Sequence, residues 1–382
     1  MANLRHLLQT YVDNGAVPGA VALVARGEDV EVEAVGFADV EGSAPMARDS
    51  IFRLASMTKP ITAAALMMLI DEGRIALDDP VERWLPELAA PVVVRTPSGP
   101  VDDVVPAARA ITVFDLLSFH AGYGFPSDFS LPAVQLWLSE AHIFGRDQES
   151  MPTPDEWMDR LSRIPLLYQP GEAWLYNAGS DIQGVLIARV SGRSLPEFLA
   201  ERVFEPLGMT DTGFAVPAEK LDRFTSFYQT DSAGHLELLD APGGQWSSLS
   251  VFPSGAGGLV STVDDWYAFA RMILAGGSVD GRRLLSVESV QKMTTDYMTQ
   301  PQRDASWVFL EGQGWGFGGS VDIAAIDAWN VPGRYGWIGG TGTAGHIVPS
   351  TGAVTILLSQ LQMTGPTPTP MMRDFWRYAA AA

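Results

Sequence analysis

Phe52-Arg53-Leu54-Ala55-Ser56-Met57-Thr58-Lys59-Pro60 is the stretch on which the reading of this chain turns. It leads directly into the Ala/Leu/Met-rich segment 61–73, whose composition predicts a helix. Ser56 and Lys59 stand three residues apart, so at a helix start they share one face, with Cβ atoms about 5–6 Å apart. A serine hydroxyl is a weak nucleophile until a base takes its proton. A lysine serves as that base only where burial or nearby charge lowers its pKa. The first turn of a helix also offers unpaired N–H groups to developing negative charge. Pro60 is tolerated there because a first-turn residue has no N–H partner to lose. The spacing alone suits an N-cap serine beside a solvated lysine equally well. The setting argues for the first reading: lysine is scarce (Lys59, Lys220 and Lys292 only), and Leu-Ala-Ser-Met-Thr-Lys-Pro-Ile gives Lys59 little reason to face water.

Two further segments carry possible chemistry. Trp174-Leu175-Tyr176-Asn177-Ala178-Gly179-Ser180-Asp181 precedes a helical pattern over 180–192. A tyrosine in such a loop can bring its phenol to a serine, and an ammonium nearby would lower its pKa from about 10 and make the phenolate a base. The plainer alternative is a core aromatic whose hydroxyl binds backbone. Asp181 reads either as a partner for Lys59 or, preferably, as a helix cap. Tyr335-Gly336-Trp337-Ile338-Gly339-Gly340-Thr341-Gly342-Thr343 precedes a strand. Glycines there signal a close backbone approach, such as a bound acyl group beneath an oxyanion-binding N–H, or simply a flexible turn.

In order and separation, the three segments resemble the serine β-lactamase and penicillin-binding-protein superfamily, most closely its esterase branch, the family VIII carboxylesterases that look like class C β-lactamases. The resemblance extends over 52–60, 111–122, Phe204-Glu205-Pro206-Leu207-Gly208-Met209 and Gly257-Gly258-Leu259-Val260-Ser261-Thr262, nearly the whole chain. It implies that Ser56 is acylated, that Lys59 is its proton partner and that Tyr176 is the catalytic tyrosine. It implies oxyanion donors at the N–H groups of Ser56 and Gly340. Trp337-Ile338-Gly339 stands where β-lactamases carry Lys-Thr-Gly, which makes Trp337 and Gly339 expected substrate contacts. Tyr123 and Phe125 are expected on the opposite wall. Two departures matter. Tyr176-Asn177-Ala178 lacks the third-place Asn of β-lactamases, and Trp337 replaces a cation that would hold a substrate carboxylate. Losing one charge-assisted hydrogen bond removes about 1.5–3 kcal/mol, so neutral esters are favoured over β-lactams.

The flanking patterns define the expected architecture. A helix over 1–17, a hairpin over 19–40, strands at 344–349 and 353–360, and a helix over 371–380 place sheet and helices at both chain ends. Helical patterns also recur at 112–120, 154–163, 195–204 and 263–275, while 121–153 is irregular, as lids and binding walls are. These patterns predict a mixed α/β domain made from both termini with a mostly helical insertion; the resemblance implies its form, α/β of the α+β type, a β-lactamase-like antiparallel sheet flanked by helices. The expected domains are 1–85 with 245–382, and 86–244, with the active site between them.

Composition narrows the partners. The formal charge of −20 repels phosphate backbones and anionic membranes, so no nucleic acid is expected. The absence of cysteine excludes disulfides, thiolate catalysis and cysteine-ligated metals, and fits a cytoplasmic location. The N-terminus lacks the apolar core of a signal peptide, and the longest apolar run, 61–70, is half a membrane span. No Gly-x-Ser-x-Gly elbow, phosphate loop or metal-spaced histidine pair occurs, so neither cofactor nor metal is expected. Of the histidines, only His120 is a candidate for lining the site. The expectation is a serine hydrolase for small esters. The alternatives are a β-lactamase, a D-alanyl-D-alanine peptidase or an acyltransferase on the same scaffold, or a binding protein that has lost the reaction.

Overall fold

The computed structural model describes residues 3–40, 44–141 and 151–381. Its centre is a seven-stranded sheet with every neighbouring pair antiparallel. The strands run Gly314–Trp315, Ser320–Val321, Tyr335–Gly339, Thr343–Val348, Ala353–Ser359, Gly19–Arg26 and Asp29–Gly36. The two chain ends therefore meet inside the sheet, where Ala20 pairs with Ser359 and Leu23 with Ile356. Gly19–Arg26 is buried along almost its whole length, with none of the alternation of a half-exposed strand. Helices Leu4–Asp13 and Pro370–Ala381 pack together beside the sheet, and Val263–Leu274 packs on the strands Thr343–Val348 and Ala353–Ser359.

The helix Lys59–Asp71 is apolar all round and buried from Lys59 to Leu69. Such a helix belongs in a core. It lies against the helix Ala178–Ser191 and the strand Tyr335–Gly339. Each Leu or Met it buries contributes about 1.5–3 kcal/mol of hydrophobic stabilisation. The cost is that any polar group at its start is also withdrawn from water.

The terminal helices and strands fall where the sequence pattern puts them, within a few residues. Between 121 and 153 the irregular reading is corrected, because Pro132–Glu140 is a helix. It begins at Pro132 without a side-chain cap, so it carries no polar start signal. The remainder of that stretch, 142–150 with His142, lies outside the described residues. The helical pattern at 195–204 divides into Leu195–Leu199 and a wider π turn, Ala200–Phe204. Among the described residues, no helix is long and apolar enough to cross a membrane.

Gly345 shows how tightly the sheet approaches the segment that carries Ser56. A Cβ there would lie 2.5 Å from Met57 Cε and 2.6 Å from the Trp266 ring. Gly345→Ala is expected to destabilise the fold by about 1–3 kcal/mol through overpacking, read as a lower midpoint in thermal or urea unfolding. An unchanged midpoint would show that this packing is not tight.

Candidate active site

Local backbone geometry brings Ser56 and Lys59 together. The strand Phe52–Arg53 pairs with Val260–Ser261, and Leu54 N–H donates to Leu259 O at 2.9 Å. Ala55 then turns into the left-handed region at φ 45°, a conformation costing a non-glycine residue about 1–2 kcal/mol. Residues Ala55–Thr58 form a 3₁₀ turn that feeds the helix Lys59–Asp71. At three residues per turn, side chains at i and i+3 eclipse one another. Lys59 Nζ lies 2.8 Å from Ser56 Oγ as a result.

Lys59 is fully buried and donates to Ala256 O at 2.8 Å. Its amine also stands 4.6 Å from the centre of the Tyr176 ring. Desolvation pulls its pKa down to about 7, while the charge of Asp181 pulls the other way. Asp181 is itself buried, and its Oδ1 accepts from Ser254 Oγ at 2.6 Å and from Ala256 N–H at 3.1 Å. The cap reading of Asp181 is therefore corrected. Asn177 holds the cap position of the helix Ala178–Ser191, and Asp181 sits one turn inside it, facing Ser254 and Ala256.

Tyr176 is fixed by its backbone. It exchanges two N–H···O bonds of 2.9 Å with Phe125, and Leu175 N–H donates to Phe119 O. Its ring is packed among Phe309 at 4.9 Å, Trp337 at 5.6 Å and Trp174 at 5.9 Å. Burial pushes the phenol up to about 12, against the opposing pull of hydrogen bonds from Ser56 and Trp337. Burial thus disfavours the phenolate that a tyrosine base would need, and it disfavours the charged form of the lysine.

Trp337 is not among the residues that line the cleft containing Ser56; it lines a separate cavity. It is buried, edge-on to Trp315 at 4.7 Å, and its indole Nε1–H donates to Tyr176 Oη at 2.6 Å. Gly339 is also not a cleft contact. A Cβ there would come within 2.2 Å of Leu54 O, so the close approach that requires glycine is made by the protein's own backbone. Hydroxyls of Thr341 and Thr343 bind Arg53 O at 2.5 Å and Leu54 O at 2.9 Å, fastening this turn to the strand before Ser56. Gly340 alone of the pair faces open space, and it shares with Ser56 a cleft of about 500 Å³.

Tyr123 and Phe125 do not wall that cleft. Tyr123 is buried, with its hydroxyl 3.5 Å from Leu161 O, and Phe125 packs on Trp137 at 4.5 Å. The contribution of Phe125 is the backbone clamp on Tyr176. His120 lies off the cleft as well, buried with its Nδ1 3.0 Å from Ser118 Oγ. The apolar lining comes instead from Met151, Trp157, Phe227, Leu239, Trp246 and Phe252. Nothing in the local sequence separates these from core residues. The small-residue run Ser254-Gly255-Ala256-Gly257-Gly258 is a sequence signal for a close approach, and it supplies the carbonyl that receives Lys59.

Comparison with known proteins finds a family and similar structures. The family model described as Beta-lactamase matches residues 4–376. Protein Rv1367c of Mycobacterium tuberculosis is 38% identical over 364 residues, covering 92% of this chain and 88% of that protein. Esterase EstB of Burkholderia gladioli is 32% identical over 383 residues, covering 93% and 90%. The solved structure described as EstCE1, a hydrolase with promiscuous acyltransferase activity, superposes with a TM-score of 0.81 at 25% identity, covering 99% of this chain and 97% of that one.

The indole–phenol bond yields a direct test. Trp337→Phe keeps an aromatic ring but removes the donor. A hydrogen bond to a group that becomes charged is worth about 1.5–3 kcal/mol, so turnover of a p-nitrophenyl ester is expected to fall roughly ten- to a hundredfold with circular dichroism unchanged. An undiminished rate would mean that the bond does not serve the tyrosine's proton transfer.

Proposed function

The chain belongs to the beta-lactamase family, and from that premise we propose that it is a carboxylesterase of the family VIII type, which hydrolyses small neutral esters through an acyl-enzyme on Ser56. One observation carries the reading: a serine hydroxyl lies 2.8 Å from a fully buried amine whose charged form that burial disfavours. In the proposed sequence Lys59 takes the Ser56 proton as Oγ attacks the ester carbonyl. The N–H groups of Ser56 and Gly340 receive the oxyanion. Tyr176 gives its phenolic proton to the departing alcohol, with the Trp337 N–H holding the phenolate that forms. The Lys59 ammonium then returns a proton to Tyr176. Water completes the cycle by attacking the acyl group, Lys59 accepts its proton, and Ser56 Oγ leaves with that proton restored.

The cleft favours esters over β-lactams. Among the described residues, its two ionisable wall residues, Asp181 and Asp240, are both acidic, and Arg53, the cation paired with Asp240, is itself buried. Among the described residues, no cation on that wall would hold a substrate carboxylate. The aromatic lining suits an apolar acyl or alcohol group. Walls drawn from both the 1–85/245–382 portion and the 86–244 portion support an active site between two such domains, and a cysteine-free chain suits action in the cytoplasm. The acyltransferase activity in the description of EstCE1 favours a second outcome of the same chemistry, in which an added alcohol intercepts the acyl-enzyme. Product analysis with and without that alcohol separates transfer from hydrolysis.

Ser56→Ala is expected to lower p-nitrophenyl butyrate turnover by at least about 10³-fold, and the wild type to cleave that ester faster than nitrocefin. Substantial activity in the variant would remove Ser56 as nucleophile, and preferential nitrocefin cleavage would reverse the substrate reading. The pH profile gives a further check. The base works as the free amine, so kcat/KM should fall as pH drops through about 7, where Lys59 gains its proton. A profile flat from pH 5 to 9 would contradict a lysine base.

A further inference from the structure

Among the buried groups not assigned to the reaction, Asp181 is the one placed to act on it. Asp181 is 4% exposed. Two hydrogen bonds aim it, from Ser254 Oγ and from the N–H of Ala256, and the carbonyl of that same Ala256 receives Lys59 Nζ. Ser254 Oγ in turn accepts from the N–H groups of Ala256 and Gly257 at 3.2 and 3.1 Å, so the loop that grips the carboxylate is the loop that grips the amine. The titratable side chains facing Lys59 are Asp181 from the helix Ala178–Ser191 and Tyr176 from the segment before it. The loop around Ala256 faces it with a carbonyl, and Ser56 faces it with a hydroxyl.

We propose that Asp181 is a positioning residue that stabilises the Lys59 ammonium formed when Ser56 is deprotonated, making the site a Ser56–Lys59–Asp181 relay with Tyr176 as a separate acid. The proposal rests on the reading of Ser56 and Lys59 given above. Its physics is that of any base oriented by a third group: a carboxylate beside it favours its protonated form, and more strongly where water is excluded. The step is balanced within the site. The O–H bond of Ser56 breaks and an N–H bond forms on Lys59, whose new charge faces the Asp181 carboxyl across the Ala256 backbone; burial raises the Asp181 pKa, and its bond from Ser254, the Lys59 charge and the Ala256 N–H oppose that rise.

The test compares Asp181→Asn with the wild type. Asparagine keeps the size of the side chain and an oxygen for Ser254 and Ala256, and removes only the charge. Without that charge Lys59 is a weaker base and is harder to protonate. The expected result is a plateau kcat lower by roughly tenfold or more, with the acid limb of the kcat/KM profile moved to lower pH by about one unit or more. Asp181→Glu, which restores the charge, should return the limb toward its original position. A residue needed only for folding would lower the amplitude through loss of folded enzyme and leave the limb where it was. That result, checked by circular dichroism, would overturn the proposal. Labelling by a fluorophosphonate, followed by mass spectrometry of the Ser56 peptide, separates the two layers. Absence of the adduct in the wild type would sink the underlying reading and this proposal with it. A labelled Ser56 with coincident acid limbs would sink the role of Asp181 alone.

Discussion

An amine shut away from water beside a serine hydroxyl is the constraint around which this molecule is arranged. A charged ammonium in a protein interior costs several kcal/mol unless it is fully paired. Lys59 has two hydrogen-bond partners, Ser56 Oγ and Ala256 O, and one nearby carboxylate, Asp181. Its environment resolves the cost by lowering the charge itself. The helix that begins at Lys59 is buried on every side, and Gly318 is so close behind it that a Cβ there would meet Lys59 O at 2.5 Å. The packing that stabilises the core and the electrostatics that free the amine are thus one arrangement seen from two sides.

Tyr176 obeys the same physics with the opposite consequence. Burial disfavours the charged form of either group, which favours a lysine that can accept a proton and a tyrosine that can give one. One apolar environment thereby produces a base and an acid a few ångströms apart. The Trp337 N–H occupies the acceptor side of the phenol oxygen. In the proposed reaction it would support a developing phenolate without adding a cation.

How much of this was legible in the chain follows from how local each feature is. Ser56 and Lys59 are joined by three residues of backbone, and an i, i+3 spacing at a helix start leaves them few ways to part. The two terminal strands were legible because alternation and turn residues are local signals, and the family resemblance covered the rest of the sheet. Trp337 and Gly339 were placed in the right segment with the wrong task. Successive residues of a strand face opposite sides, and which side meets Leu54 or Tyr176 depends on tertiary packing. Tyr123 and Phe125 failed for a related reason: the chain there serves Tyr176 through its backbone, which side-chain identity does not report. The cleft walls at Trp157, Trp246 and Phe252 come from separate loops and helices, so their convergence leaves no periodic trace. Asp181 was misread because acidic residues near helix starts are usually caps, and here the strained turn at Asn177, with φ 84°, takes the cap position and sends Asp181 inward.

The protonation state of Lys59 is the most direct measure of the account. With only Lys59, Lys220 and Lys292 in the chain, ¹³Cε-labelled lysine gives three resonances, and Lys59→Met identifies the relevant one. A titration followed by NMR should show the Lys59 resonance changing near neutral pH. A Lys59 that remains an ammonium at pH 9 would contradict the claim that burial prepares a free amine for Ser56.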